Sequence, residues 1–64
     1  MTNLKRIRKE KKIKQTELAE RSGVNLRTLQ DYEQGQKPIN GASALTVYKI
    51  AQVLECSVGD LLEL

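Results

Sequence analysis

Histidine, phenylalanine and tryptophan are absent from this 64-residue sequence, and cysteine and proline occur once each. With no histidine and only Cys56, the chain cannot assemble the soft or imidazole ligands of a zinc site, and no internal disulfide can form. No histidine is present for acid–base catalysis, the single cysteine is expected to be buried, and the glycines at 23, 35, 41 and 59 make no phosphate-binding loop. A chain this short also has no room for a sizeable concave site. An enzyme, a metal centre and a bound cofactor are therefore not expected. The apolar runs are far too short to cross a membrane. The N-terminus is basic but lacks the apolar stretch of a signal peptide, so the cytoplasm is the expected location. The length suits one small domain, residues 1–64, with no room in it for a second domain that would bind an effector.

Charge is present in quantity and unevenly placed. Residues 1–14 hold seven lysines and arginines (Lys5, Arg6, Arg8, Lys9, Lys11, Lys12, Lys14) against Glu10, a net of +6, whereas the remaining fifty residues sum to −3. Such asymmetry suits a polyanionic partner, although a basic run also serves plain solubility.

Abundant Ala, Leu, Glu, Lys, Arg and Gln without Val/Ile alternation predict an all-α chain. A first helix is expected over about 3–11, capped by Thr2 or Asn3, with Leu4, Ile7 and the stem of Lys11 on one face and Ile13 in the following turn. A second is expected over about 15–21, with Leu18 and Ala19 inward and Glu17 where a capping-box acid would sit. Lys14 is a poor cap for it. Gly23 suits the left-handed residue that ends a helix. A third helix, over about 26–34, has Asn25 as its cap, Leu29 and Tyr32 inward, and Gly35 as its stop. Residues 36–43 read as a loop pinned by Ile39. The fourth helix, from Ser43 or Ala44 to Leu54, is the most apolar. Ser57, with Asp60 as its capping-box partner, opens a short fifth helix. The expected core is Leu4, Ile7, Leu18, Ala19, Val24, Leu29, Tyr32, Val47, Ile50, Ala51, Leu54, Val58 and Leu61.

A short helix ending at Gly23, followed three residues later by a helix with one polar side, has the spacing of a helix-turn-helix at about 15–34, whose second helix enters the major groove. On that side Arg27 has the fork that matches guanine O6 and N7, or is simply solvated. Asp31 accepts from a cytosine amine or orients Arg27 one turn earlier. Leu26 meets a thymine methyl or joins the core, and Gln30 reads adenine or faces solvent. Lys5, Arg6, Lys12, Lys14 and Lys37 are phosphate candidates. Cys56, among Leu54, Val58 and Leu61, reads as a buried apolar residue.

The stretch from Gln15 to Gly35 resembles the helix-turn-helix of the Cro and phage-repressor (xenobiotic-response-element) family. The resemblance is carried by Gln15, Leu18-Ala19, Gly23-Val24, Thr28-Leu29 and Glu33-x-Gly35. The flanks are similar too: Leu4-Lys-Arg-Ile-Arg, Ile50-Ala51 with Leu54, and Ser57-Val58 with Leu61-Leu62. The resemblance implies a five-helix, lambda-repressor-like, all-α DNA-binding domain and a transcriptional regulator, expected to be a repressor. It implies that Gln15 hydrogen-bonds a phosphate and braces a recognition side chain, that Leu26, Arg27 and Asp31 face bases beside Gln30, that Thr28 lies at the DNA boundary, and that Glu33 is a structural acid. The chain departs from the family in a connection after Gly35 about four residues longer than in many members, and in Lys14, which stands where Ser or Thr usually caps the second helix and should cost about 1 kcal/mol of capping.

One recognition helix reads few bases, so a homodimer on a palindromic double-stranded operator is expected, formed, as in relatives, through helices 4 and 5. Leu45, Val47, Tyr48, Leu61, Leu62 and Leu64 exceed what a small core needs, unless Leu62 and Leu64 are a frayed end. The alternatives are an antitoxin or protein-interaction subunit on the same fold, and an RNA-binding module using the basic first helix.

Overall fold

The computed structural model describes residues 1–64. Five α-helices follow one another: α1 (Asn3–Glu10), α2 (Gln15–Ser22), α3 (Leu26–Gln34), α4 (Ala44–Leu54) and α5 (Val58–Leu61), with a 3-10 turn at Ile39–Gly41 between α3 and α4. Four of the five begin at a side chain that takes up orphan amides, the role for which Ser, Thr and Asn are selected. Thr2 accepts from the Lys5 amide, Asn25 from those of Arg27 and Thr28, Ser43 from that of Thr46 and Ser57 from that of Asp60. At α5 the box is complete, since Asp60 Oδ2 also accepts the Ser57 N–H. The Ser57 backbone N–H, with the Ser57 hydroxyl second, holds the Asp60 carboxyl below its ordinary range; burial opposes this and Arg6 assists.

Helix α2 is the exception. Lys14 makes no side-chain cap, and Glu17 does not close a box with it. The Glu17 carboxylate turns instead to Arg21 one turn later, at 3.3 Å. Gly23 and Gly35 end α2 and α3 in the left-handed region, at φ 76° and 80°. A Cβ at either would meet nothing within 4 Å, so conformation and not crowding at that atom selects glycine there. Lys12 and Glu55 adopt the same region without being glycine.

Ten buried residues drawn from all five helices and the 3-10 turn form the core: Leu4, Ile7, Leu18, Leu29, Ile39, Val47, Ile50, Ala51, Leu54 and Leu61. Ala19, Val24, Tyr32 and Val58, expected inside, lie half-buried against it. The connection after α3 is not wholly irregular, because the 3-10 turn carries Ile39 into the core at 4% exposure. The stem of Lys11 does not join the face of Leu4 and Ile7; α1 ends one residue earlier and Lys11 is exposed.

The chain ends are tied together. The Asn3 side-chain amide donates to the Leu62 carbonyl, and Asn40 exchanges two bonds of 2.8 Å with the backbone of Glu63. Of the six apolar residues expected to form a partner surface, Val47 and Leu61 are consumed by the core and Leu62 is half-buried, with these three bonds holding the tail against α1 and the 3-10 turn. Leu45, Tyr48 and Leu64 remain exposed.

Leu29 sits at 0% exposure. Leu29→Ala is expected to cost about 2–5 kcal/mol in a urea melt, as large-to-small core changes do; a loss under about 1 kcal/mol contradicts the packing described. Glu55→Gly is expected to stabilise by about 0.5–1 kcal/mol. The left-handed region costs an L-residue about 1–2 kcal/mol, offset in part by the greater unfolded-state freedom of glycine. The depressed Asp60 carboxyl contributes stability above its unfolded value that is lost as pH falls through its folded value. Asp60→Asn should therefore flatten the acid limb of a stability–pH curve.

Candidate nucleic-acid interface

The orientation of α3 is set by three anchors. Leu29 and Glu33, one turn apart on the same stripe, both face inward and are buried. The turn leading into α3 is closed by the Val24 N–H donating to the hydroxyl of Ser22, itself buried. The opposite side of α3 carries exposed Arg27 and Gln34 and half-buried Gln30.

Glu33 is the hub. Arg8 Nε donates to Glu33 Oε2 at 2.6 Å and Arg8 Nη2 to Oε1 at 3.0 Å. The remaining Arg8 nitrogen, Nη1, donates to the Ile13 carbonyl at 2.8 Å. Gln15 Nε2 donates to Oε1 at 3.0 Å. The side chains of Arg8 and Glu33 are 11% and 1% exposed, so this is a largely desolvated, bidentate pair. It joins α1, the α1–α2 turn, the first residue of α2 and the last turn of α3. Arg8 was hidden in the sequence among six other basic residues. Its signal is position: it lies four residues after buried Leu4, on the core side of α1.

The α1–α2 turn, with exposed Lys12 and Lys14, is thereby fixed beside the end of α3. Gln15, half-buried, spends one amide hydrogen on Glu33 and keeps the other for an external acceptor. Leu26, Thr28 and Gln30 are half-buried along α3. The Arg27 side chain is 78% exposed and pairs through Nε with Asp31 Oδ1 at 3.3 Å. Lys37 brings its ammonium within 3.9 Å of the other Asp31 oxygen. Arg27, Asp31 and Lys37 thus form one group. Lys5 is half-buried on α1.

Arg6 is not brought to this group. Two residues before Arg8, it points to the opposite flank of α1, where it pairs with Glu10 at 3.3 Å. There it lines a hollow of about 320 Å3 with Glu10, Lys11, Glu55, Cys56 and Asp60. Burial, with Asp60 adding and Lys11 opposing, pushes the Cys56 thiol up, away from the reactive thiolate. No three acidic or cysteine side chains of the chain are placed to hold a metal ion.

The sequence profile of a helix-turn-helix family matches residues 4–61, nearly the whole chain. The chain belongs to that helix-turn-helix family. No curated protein and no solved structure matches it. Its five helices make the lambda-repressor-like, all-α arrangement of a Cro-type helix-turn-helix. The domain is a DNA-binding, regulatory module. Within the helix-turn-helix, α2 is the supporting helix and α3 the one whose polar side is free.

Removing one partner of a buried ion pair leaves an uncompensated charge and costs about 3–5 kcal/mol. That is comparable with the whole stability of a domain this small, taken at roughly 0.05–0.15 kcal/mol per residue. Arg8→Ala is expected to leave the chain largely unfolded by circular dichroism, while Arg8→Met with Glu33→Leu, which removes both charges, should be markedly more stable. Equal damage from the single and double changes would contradict the role given to the pair.

Proposed function

We propose that the chain is a cytoplasmic transcriptional repressor that binds a palindromic double-stranded operator as a homodimer, one α3 in the major groove of each half-site. The observation that carries this is the free side of α3. It is polar and mixed, with Arg27 projecting, and a turn bearing exposed Lys12 and Lys14 is anchored through Arg8 to Glu33 in the last turn of the same helix. A helix-docking face would be apolar. Leu26, Arg27 and Gln30 face base edges, and Lys14, Lys12, Lys37, Gln15 and Thr28 face phosphates. Lys5 adds to the field from α1, and Arg6 contributes least, being turned to the far flank.

Three or four side chains per subunit, discriminating by about 1–3 kcal/mol for each bidentate contact, read too few bases for one operator, and a second subunit doubles them. Half-site centres would then lie about 34–36 Å apart. Leu45 and Tyr48, neighbours on one face of α4 at 61% and 50% exposure, supply the apolar contact. So small a patch suits a weak dimer completed on DNA. The same patch also fits a protein-interaction subunit, such as an antitoxin, with DNA binding secondary.

Titration against duplex DNA at rising salt tests the reading. Affinity should fall steeply as counterions are displaced. Lys14→Ala should weaken all sequences about equally, Arg6→Ala less so, and Arg27→Ala should lose sequence preference while keeping salt-sensitive binding. Salt-independent affinity, or equal affinity for an isolated half-site and a palindrome, contradicts it. Tighter binding to structured RNA than to duplex would contradict it as well.

A further inference from the structure

A carboxylate on a helix meant for DNA needs an explanation, because phosphates repel it. The Asp31 carboxylate is recessed, at 13% exposure, against 78% for the Arg27 side chain beside it. Its two oxygens face different cations, Oδ1 the Arg27 Nε at 3.3 Å and Oδ2 the Lys37 Nζ at 3.9 Å. Its backbone carbonyl accepts two further bonds, from the amides of Gln36 at 2.9 Å and Lys37 at 3.3 Å. The chain leaving α3 therefore folds back on Asp31. The acid is the fixed member of the group, and Arg27 and Lys37 are the long, exposed arms gathered on it.

We propose that Asp31 is a positioning residue: it reads no base, but holds Arg27 by Nε so that Nη1 and Nη2 are presented as a fork to O6 and N7 of one guanine in each half-site. This rests on the DNA-reading function above and names what it reads. A guanidinium carries five N–H groups in a rigid plane. With Nε turned to the protein, the end-on pair of terminal nitrogens is what remains for the ligand. Guanine is the base that offers two adjacent acceptors in the major groove. Both Asp31 oxygens face cations of the chain, Oδ1 the exposed Arg27 and Oδ2 Lys37, which offsets the charge that phosphates would meet. Solvent screens the Arg27 guanidinium, which is 78% exposed, so the i,i+4 pair contributes little to folding, and recognition and stability are separable at this pair.

The test is selection from a random duplex library by the wild type, Arg27→Ala, Asp31→Ala, Asp31→Asn and the Arg27→Ala/Asp31→Ala double variant, with urea midpoints measured alongside. The wild type should favour guanine at one position per half-site by about five- to hundredfold. Arg27→Ala and Asp31→Ala should both flatten that same position, the double variant no further, and Asp31→Asn, which keeps an acceptor, should be intermediate. Urea midpoints should stay unchanged, and if Asp31→Ala fails to fold, Asp31→Asn decides by the same readout. The inference is overturned if the Asp31 variants keep the guanine preference, or lose preference at a different base pair, which would make Asp31 a base reader. In either case DNA reading by α3 still stands. A wild type that binds duplex but enriches no sequence overturns the DNA-reading function itself, and this inference with it.

Discussion

The arrangement depends on one buried ion pair, Arg8 with Glu33. Two parallel hydrogen bonds fix the guanidinium against the carboxylate, Gln15 donates to the same carboxylate, and the remaining Arg8 nitrogen donates to the Ile13 carbonyl. Desolvating two charges is costly, and the return is geometric as much as energetic. Every contact made by the pair crosses between elements: α1 to α3, α1 to the α1–α2 turn, α2 to α3. Hydrophobic burial of Leu18, Leu29 and Leu54 holds the helices together, but it is non-directional. The pair fixes the rotation of α3, and with it the direction in which Arg27 leaves the protein.

That division of labour separates the charges of the chain into two kinds. The pairs Arg6–Glu10, Glu17–Arg21 and Arg27–Asp31 are one-turn pairs with at least one well-exposed member. Each contributes at most a few tenths of a kcal/mol, and salt screens them. Arg8–Glu33 is shielded from solvent, and removing either partner alone leaves an uncompensated buried charge. Of the seven basic residues in the first fourteen, one is therefore architectural. The others make the field that surrounds the α1–α2 turn, with Arg6 set apart on the far flank.

Much of the fold was legible because local chemistry and helix boundaries coincide. Asn25 and Gly35 bracket α3, Ser43 opens α4, and Ser57 with Asp60 opens α5 where expected. What escaped reading was set by tertiary contact. Arg8 looks like any surface arginine until Glu33 is placed opposite it. The 3-10 turn is driven by the burial of Ile39, and the clasp of Asn3 and Asn40 on Glu63 joins residues sixty and twenty-three positions apart. Val47 and Leu61 were counted both as core and as partner surface, and the core took them. At the site, the bounds of α3 were legible from spacing, while the pairing of Asp31 with both Arg27 and Lys37 needed the side-chain geometry.

The central claim is that Arg8–Glu33 holds α3 so that its polar side meets the major groove. The most direct measurement is a map of backbone amide shifts as duplex DNA is added to the nitrogen-labelled chain at low salt. The account predicts changes concentrated at Lys12 to Gln15, at Leu26 to Asp31 and at Lys37, with the hollow lined by Arg6, Cys56 and Asp60 unmoved. Changes centred on that hollow, with α3 silent, would contradict it.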